Sequence, residues 1–492
     1  MKPSRANAAA AAVHRLARPW RHAAAGMRQR ALASAPVSRV ARGSVVAFFV
    51  YSTGIGLAYC AQLAIARILG VETYGIYAFV FAWMTVLAYF CALGFEVSLL
   101  RFVPAYEAKR DWARLRGVIQ YAQRRSAIVG VSVVLVGTCI VMTWVSSPAL
   151  RNTFLVGFLL VPVLALLWIR CSAVRTFGGV VSALAPDRIA REGTLLALVA
   201  IAALGLGWFV DAPFVMLATL VGSVVGLGWA GLAMRRLRPP AIAAVSPVYD
   251  VPTWRQAALP LIIMGAGEAL MNRTGIILLG WIADTKDAGI YSLAYNVACV
   301  VTLPRVAVNT LFAPTISGLF VRKEQATLQA LVTSAASWSF CAGAFIAVTL
   351  FVLAEPLLAW FGPGYDAGVP AMRILLVGQL IVAGAGSQLY VMTMTGNERS
   401  AAALLVACAA ANAVLSAVLI SLLGLTGAAI ATTAVLIAWN AAMALFIWRR
   451  LQLLPGVLPM LRLSLRGNKN IAVATSVCQG HAAGSPRRVP QK

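Results

Sequence analysis

Long apolar segments alternate with short polar connectors along almost the whole chain. Twelve such segments follow one another between residues 44 and 448, and most contain the roughly 17–25 residues that a helix needs to cross a bilayer. Because lipid cannot hydrogen-bond the backbone, spans of this kind are expected to be α-helical. The predicted spans are 44–66, 75–99, 126–146, 154–175, 193–210, 214–234, 257–281, 289–312, 330–353, 371–394, 400–422 and 426–448. The pattern predicts an all-α integral membrane protein of about 12 transmembrane helices.

The composition supports this reading. Of the 492 residues, 61% are hydrophobic and only 11% are charged. A soluble domain is typically about 45–50% apolar and about one quarter charged. No connector between the apolar segments is long enough to hold a separate soluble domain, so the composition argues against a water-soluble enzyme.

The distribution of positive charge predicts the orientation. The net charge is +26, and Lys and Arg are concentrated in both tails and in alternate connectors, such as 100–125 and 235–256. This is the bias of cytoplasmic loops in membrane proteins, and it argues against a nucleic-acid partner. We predict a multi-pass protein of the bacterial inner membrane with both termini cytoplasmic. The acid-free start at 1–43 also resembles a mitochondrial transit peptide, but a basic cytoplasmic tail is the favoured interpretation.

An internal repeat divides the predicted core. Gly75-Ile76-Tyr77 recurs as Gly289-Ile290-Tyr291, 214 residues further on. Six spans on each side of the connector make two six-helix bundles that start on the same side, related by an axis along the membrane normal. The predicted divisions are a basic tail at 1–43, bundles at 44–234 and 257–448, a cytoplasmic linker at 235–256 and a second basic tail at 449–492.

Charged and amide side chains within the spans are the candidate site. A charge in hydrocarbon costs about 2.5–3.5 kcal/mol on insertion scales, so it normally faces a cavity or a partner. Depth along the helices predicts that Arg170 and Arg305 line a cationic cavity. Such a cavity would suit an anionic headgroup, because guanidinium binds phosphate in a bidentate manner. For Glu268 and Arg273, a structural ion pair and direct contact with the substrate are equal alternatives. The candidate residues are Glu96, Arg170, Glu268, Asn272, Arg273 and Arg305.

Catalytic and metal-binding patterns are not found in the sequence. The three histidines lie in the tails, and the eight cysteines form no CxxC pair. No nucleophile–base pair, phosphate-binding loop or metal-ligand spacing occurs. We predict neither an enzyme nor a cofactor, and coupling to H+, Na+ or the membrane potential stays open.

Two stretches carry a resemblance to a known family. The first half contains Arg67-x-Leu69-Gly70 followed by Tyr74-Gly75-x-Tyr77, and the second contains Leu259-Pro260, Asn272-Arg273-Thr274 and Gly289-Ile290-Tyr291. These resemble the polysaccharide (O-antigen) flippases of the Wzx type, in the superfamily of the MATE antiporters and the lipid II flippase MurJ. Many members carry an Asp at the position of Gly275, so this chain lacks the acid that would form an ion pair there.

The resemblance implies a V-shaped, two-bundle transporter that works by alternating access. It would flip undecaprenyl-pyrophosphate-linked oligosaccharide to the periplasmic leaflet for O-antigen, capsule or exopolysaccharide synthesis. Implied partners are this substrate, membrane lipids, a polysaccharide polymerase and the chain-length machinery. From depth and charge, we expect Arg170, Arg273 and Arg305 to hold the pyrophosphate or sugar acids. We expect Glu268 to tune this binding or to couple transport to its driving force.

Two rival functions remain at this point. A MATE-like cation or drug antiporter would share the fold, but it would favour a cavity dominated by carboxylates, whereas arginines outnumber glutamates within these spans. A polysaccharide polymerase or ligase would need a large outer loop or an acidic pair there. The longest outer connector, 354–370, offers only Glu355 and Asp366.

Overall fold

A computed structural model describes residues 35–205, 207, 210–306, 308 and 324–457. Two compact units are distinguished, 1–49 and 50–492, and they are described separately. Of the first unit, only residues 35–49 are described, and they are helical. The remainder of the two predicted tails, 1–34 and 458–492, lies outside the described residues.

Every regular element in the described part of the second unit is helical, as the uninterrupted apolar spans predict. The first predicted bundle is a series of long helices interrupted by two short π-helices, Pro186–Ala190 and Ile201–Gly205. Its α-helices are α1 (Ala35–Ala92), α2 (Phe95–Ala108), α3 (Trp112–Trp144), α4 (Pro148–Thr176), α5 (Val180–Ala185), α6 (Arg191–Ala200) and α7 (Ala212–Leu237).

The second predicted bundle follows a short connector helix, α8 (Ala241–Ala244). Two 3₁₀ turns, Val300–Thr302 and Tyr365–Gly368, interrupt it, and a helical stretch continues at 303–306. Its α-helices are α9 (Val251–Ile282), α10 (Thr285–Cys299), α11 (Gln325–Val352), α12 (Ala354–Phe361), α13 (Val369–Ala385), α14 (Gln388–Met394) and α15 (Glu398–Leu451).

Eight helical stretches of the described residues are long and apolar enough to cross a membrane. Of the two longest, Phe49–Ala108 covers most of the predicted span 44–66 and all of 75–99, and Glu398–Leu451 contains 400–422 and 426–448. The predicted spans 193–210 and 289–312 correspond to the interrupted stretch 180–205 and to the segment that begins at Thr285. The all-α membrane fold is therefore confirmed, whereas the number of 12 helices stays a prediction.

Glycines divide the two longest helices. A straight helix of the 58 residues of α1 would be about 87 Å long, far more than a bilayer of about 30 Å can hold. Gly70 interrupts α1 with φ 72°, and Gly424 interrupts α15 with φ 57°, a backbone region that favours glycine. The Tyr74 hydroxyl donates to Gln62 Oε1 at 2.7 Å, a contact that a straight helix could not make. The chain therefore turns back at Gly70.

The internal repeat is visible in matching hydrogen bonds. In the first half, Tyr77 of α1 shares a hydrogen bond of 3.2 Å with Thr219 of α7. In the second half, Tyr291 of α10 shares one of 2.8 Å with Thr432 of α15. Each tyrosine also stacks on the aromatic ring one helical turn later, Phe81 in the first half and Tyr295 in the second. The repeated Gly-Ile-Tyr sequence thus performs the same packing task twice.

The two repeats meet backbone to backbone at their glycines. A Cβ atom on Gly75 would lie 2.2 Å from the Thr285 carbonyl oxygen, and one on Gly289 would lie 2.6 Å from the Gly75 Cα. Any side chain larger than hydrogen is excluded at such distances. The glycines of the two motifs therefore permit a close helix crossing between α1 and α10, which we call the glycine crossing (Gly75 and Gly289).

A second contact joins the halves near the start of α9. Trp254 is fully buried, and its indole Nε1 donates to the Tyr106 hydroxyl at 2.9 Å. The preceding connector is also tied to the first half, because Arg116 donates to the Val245 carbonyl at 2.7 Å. The boundaries proposed for the two bundles stay a prediction.

Candidate functional site

Glu268 and Arg305 are electrostatic neighbours in the second half. Glu268 lies in the middle of α9 and is exposed, although the helix around it is packed against its neighbours. Arg305 is its electrostatic neighbour, yet no ion pair of 4 Å or less joins them. The Arg305 Nε is buried and has no hydrogen-bond partner within the described ranges. An acid and a base therefore approach each other without neutralising each other by direct contact.

Arg273 and Asn272 lie among tyrosines. The Tyr295 hydroxyl donates to Asn272 Oδ1 at 2.9 Å, so the side-chain oxygen of this candidate residue already accepts a hydrogen bond. Arg273 is half-buried, and its charge acts on the hydroxyls of Tyr74 and Tyr77. It makes no ion pair with Glu268 within the described residues. Arg273 therefore lies close to the glycine crossing, whereas Glu268 is an electrostatic neighbour of Arg305.

Glu96 is placed by a break in the helix. Gly94 has φ 69° and separates α1 from α2, so that the Glu96 side chain lies in the first turn of α2. A Cβ on Gly265 of α9 would lie 3.1 Å from Glu96 Oε1. The other oxygen, Oε2, is buried and has no hydrogen-bond partner among the residues that the structure describes. A carboxylate of the first half thus packs directly on a glycine of the second.

Arg170 is separate from the other candidates. Its Nη1 donates to the Leu227 carbonyl of α7 at 3.3 Å, and a Cβ on Gly231 would lie 3.1 Å from the same nitrogen. Its electrostatic neighbour is Arg235, at the end of α7. Arg170 is therefore held between α4 and α7 within the first half, and the structure does not bring it to Arg305.

Four charged residues that the sequence reasoning missed form a network around the first π-helix. Arg191 contacts Asp187 at 3.0 Å and Glu192 at 2.6 Å, and Arg188 contacts Asp187 at 3.6 Å. The hydropathy pattern leaves these residues in the connector between the predicted spans 154–175 and 193–210. The signal for a helix was the opposite charge of Asp187 and Arg191 at a spacing of four residues.

This network reaches the first span. The Arg188 guanidinium lies 4.9 Å from the centre of the Tyr51 ring, and a Cβ on Gly54 would lie 2.6 Å from Arg188 Cβ. A π-helix within an α-helix often marks a functional position. Here it turns Arg188 towards α1 while Arg191 neutralises the two acids.

Tyr89 is the point at which these groups converge. The charged neighbours of its hydroxyl come from three parts of the chain, namely α2, α9 and the first π-helix. They are Glu96, Glu268, Asp187 and Arg188. The Tyr89 ring lies 4.5 Å from the ring of Trp168 on α4. Because its neighbours belong to both halves, Tyr89 faces the interior between them. We call Tyr89, Trp168, Glu96, Glu268 and Arg305 the interior site.

A helical membrane fold built from two repeats, with charged groups gathered between them, defines a membrane transporter or flippase. Comparison with known families gives the same class. The chain belongs to the family described as "polysaccharide biosynthesis protein", which it matches over residues 40–320, more than half of its length. The predicted resemblance to flippases of the Wzx type is thereby confirmed. Comparison with curated proteins finds no match.

Solved structures with a similar fold are transporters. An inward-facing multidrug-resistance MATE family transporter of the MOP superfamily has a TM-score of 0.69 at 14% identity, covering 81% of this chain and 94% of that one. An outward-facing one has a TM-score of 0.62 at 13% identity, covering 84% and 95%.

A third structure is a MOP superfamily transporter from Pyrococcus furiosus whose binding pocket is described as having reverse polarity, suggesting a different function. Its TM-score is 0.60 at 13% identity, and 84% of this chain and 95% of that one are covered. At such low identity these similarities show the fold alone.

Proposed function

We propose that this protein flips undecaprenyl-pyrophosphate-linked oligosaccharide from the cytoplasmic to the periplasmic leaflet of the bacterial inner membrane, for synthesis of a surface polysaccharide. The proposal includes cytoplasmic termini and an alternating-access cycle. The observation that carries it is Arg305, a guanidinium inside the helical bundle whose Nε is buried without a hydrogen-bond partner among the described residues.

An interior guanidinium with a buried, unpartnered Nε favours an anionic ligand. Leaving a buried charged donor without a partner costs more than the hydrogen bond itself would gain, so such a group is retained where a ligand completes it. A pyrophosphate offers several anionic oxygens in the geometry that guanidinium prefers. Arg305, and Arg273 about one and a half helical turns beyond Glu268, would supply the positive charge.

The acids of the interior divide into two groups that support the same proposal. Asp187 and Glu192 are both neutralised by Arg191, so they are poorly suited to binding a cationic drug. Glu96 and Glu268 carry no such partner in the described part of the chain. Glu268 has the positive charge of Arg305 nearby, which argues against a pair of free carboxylates for an antiporter of cationic drugs.

The location of the charges suits alternating access. The glycine crossing holds α1 against α10 through backbone contacts. Glu268 lies away from it in α9, and Arg305 lies in the helical stretch after α10. Transporters place their substrate between the repeats, beside interrupted helices. α9 is continuous, but it carries Pro260 within the helix, and Gly265 packs next to Glu96. Coupling to H+, Na+ or the membrane potential remains a prediction.

Deletion of the gene tests the proposal. We expect loss of surface polysaccharide, with complete repeat units on their lipid carrier trapped on the cytoplasmic leaflet, as measured by an assay that distinguishes the leaflets. Re-expression of the wild-type protein should restore both. Normal glycan with altered resistance to cationic drugs would contradict the proposal in favour of an antiporter. Single repeat units accumulating on the periplasmic leaflet would instead indicate a polymerase.

A further inference from the structure

The interior site contains an aromatic pair for which the transport of a pyrophosphate alone gives no reason. Tyr89 and Trp168 come from different helices, α1 and α4, and their ring centroids are 4.5 Å apart with a tilt of 37°. Both side chains are half-buried. Because the charged neighbours of Tyr89 belong to α2, α9 and the first π-helix, this pair faces protein on several sides and is not simply a lipid contact.

A carboxylate with one unpartnered oxygen accompanies the pair. The Gly265 backbone brings two groups together, because a Cβ at this position would lie 3.1 Å from Glu96 Oε1 and 3.5 Å from Tyr89 Cδ1. Glu96 Oε2 is buried and accepts no hydrogen bond from any described residue. Buried polar atoms in proteins are nearly always satisfied, so an exception calls for a ligand that donates a hydrogen bond.

Aromatic faces beside carboxylates match the chemistry of a sugar. The C–H bonds of a pyranose ring pack on an aromatic face, and its hydroxyl groups donate to carboxylate oxygens. A sugar-binding surface therefore combines a ring with acceptors at its edge. Tyr89 and Trp168 supply the rings here, and Glu96 supplies the acceptor.

The order of the groups also fits one end of a glycolipid. Glu268 is an electrostatic neighbour of both Arg305 and Tyr89. A ligand whose anion lies at Arg305 would thus have its next group near Tyr89. In a lipid-linked glycan that group is the first sugar, which is bonded directly to the pyrophosphate.

We infer that Tyr89, Trp168 and Glu96 form a subsite for the first sugar of the lipid-linked glycan, adjacent to the anion-binding position at Arg305. This inference rests on the proposed function and adds to it, because it separates recognition of the sugar from recognition of the pyrophosphate. The carrier headgroup is held by charge, and the glycan is recognised by the aromatic pair and the free carboxylate.

The test compares two probes on purified protein in nanodiscs: undecaprenyl pyrophosphate, and the same lipid carrying one N-acetylglucosamine. We expect Trp168→Ala to weaken binding of the glycosylated probe about tenfold and to leave the sugar-free probe unchanged. Arg305→Ala should weaken both. Trp83→Ala is the matched control, since Trp83 forms a different aromatic pair with Trp281 at 6.1 Å, and it should change neither affinity.

A conservative variant guards against loss of folding in Trp168→Ala. Glu96→Gln keeps the size of the side chain but weakens the acceptor, so we expect about a threefold loss of affinity for the glycosylated probe alone. The sugar subsite would be overturned if Trp168→Ala and Glu96→Gln both weakened the binding of the two probes equally, or if both left the binding of the two probes unchanged. Either result would leave the flippase proposal intact. Failure of the wild-type protein to bind either probe would overturn the proposed function as well.

Discussion

The glycine crossing and the interior site are built in opposite ways. At the crossing, Gly75 and Gly289 touch through their backbones, and the tyrosine of each motif has a threonine partner in its own half. In the interior site, Arg305 Nε and Glu96 Oε2 are buried without hydrogen-bond partners among the described residues. The first region satisfies its own polar groups and so fixes the shape. The second leaves charges that a ligand can satisfy, and we therefore expect changes there to affect transport before stability.

Removal of a buried charge that is already paired should reduce stability, as a change at the glycine crossing would, and not act first on transport, as a change in the interior site would. Arg191→Ala leaves the carboxylates of Asp187 and Glu192 without their shared partner, and we expect a loss of about 3–5 kcal/mol in the free energy of unfolding. Thermal unfolding in detergent measures it. Arg114→Ala, which breaks the exposed pair with Asp111, is the control and should cost no more than about 1 kcal/mol. Equal effects would contradict the assignment of Arg191 to a structural network.

The crossing itself can be broken with a single methyl group. A Cβ on Gly75 would meet the Thr285 carbonyl oxygen at 2.2 Å, so Gly75→Ala must separate the two helices. We expect a loss of about 1–3 kcal/mol in stability together with loss of surface glycan. Gly228→Ala in α7, where no atom lies within 4 Å of the added Cβ, should be neutral in both assays. Wild-type stability and glycan display in Gly75→Ala would refute the backbone contact.

The repeat can be tested through its two tyrosines. Tyr77→Phe and Tyr291→Phe each remove one hydroxyl that bonds a threonine, Thr219 or Thr432, and leave the aromatic stacking in place. We expect each variant to lose about 1 kcal/mol, because each removes one neutral hydrogen bond inside the bundle. Comparable shifts in the unfolding temperature would support equivalent roles in the two halves. A large effect in one half alone would argue against them.

The fold was largely predictable because lipid imposes a simple rule on the sequence. Apolar length located the eight stretches that qualify as spans, and the repeated Gly-Ile-Tyr indicated the internal repeat. The helical stretch 180–205 was missed in part, since its four charges resembled a loop. Pairing within the network lowers the cost of those charges, and pairing between distant residues cannot be read from hydropathy.

The candidate site was predicted only as a set of residue types. Depth and charge singled out Glu268 and Arg305, and the structure brings these two together. The same criteria selected Arg170, which bonds to the Leu227 carbonyl within the first half. Helical position alone gives the depth of a side chain but not the neighbour it faces. Tyr89 and Trp168 carried no signal in the sequence, because an aromatic residue in an apolar span is ordinarily a packing residue.

The central claim is that Arg305 binds the anionic headgroup. Comparison with Arg170 tests it most directly, because the Nε of both is buried without a hydrogen-bond partner among the described residues, but Nη1 of Arg170 bonds the Leu227 carbonyl. A strain lacking the gene would express Arg305→Ala or Arg170→Ala, with the amount of protein in the membrane checked for each. The share of lipid-linked repeat units on the cytoplasmic leaflet would then be measured. We predict that Arg305→Ala traps the repeat units at a wild-type protein level, whereas Arg170→Ala retains most of the transport. Normal transport by Arg305→Ala, with trapping only in Arg170→Ala, would contradict the account.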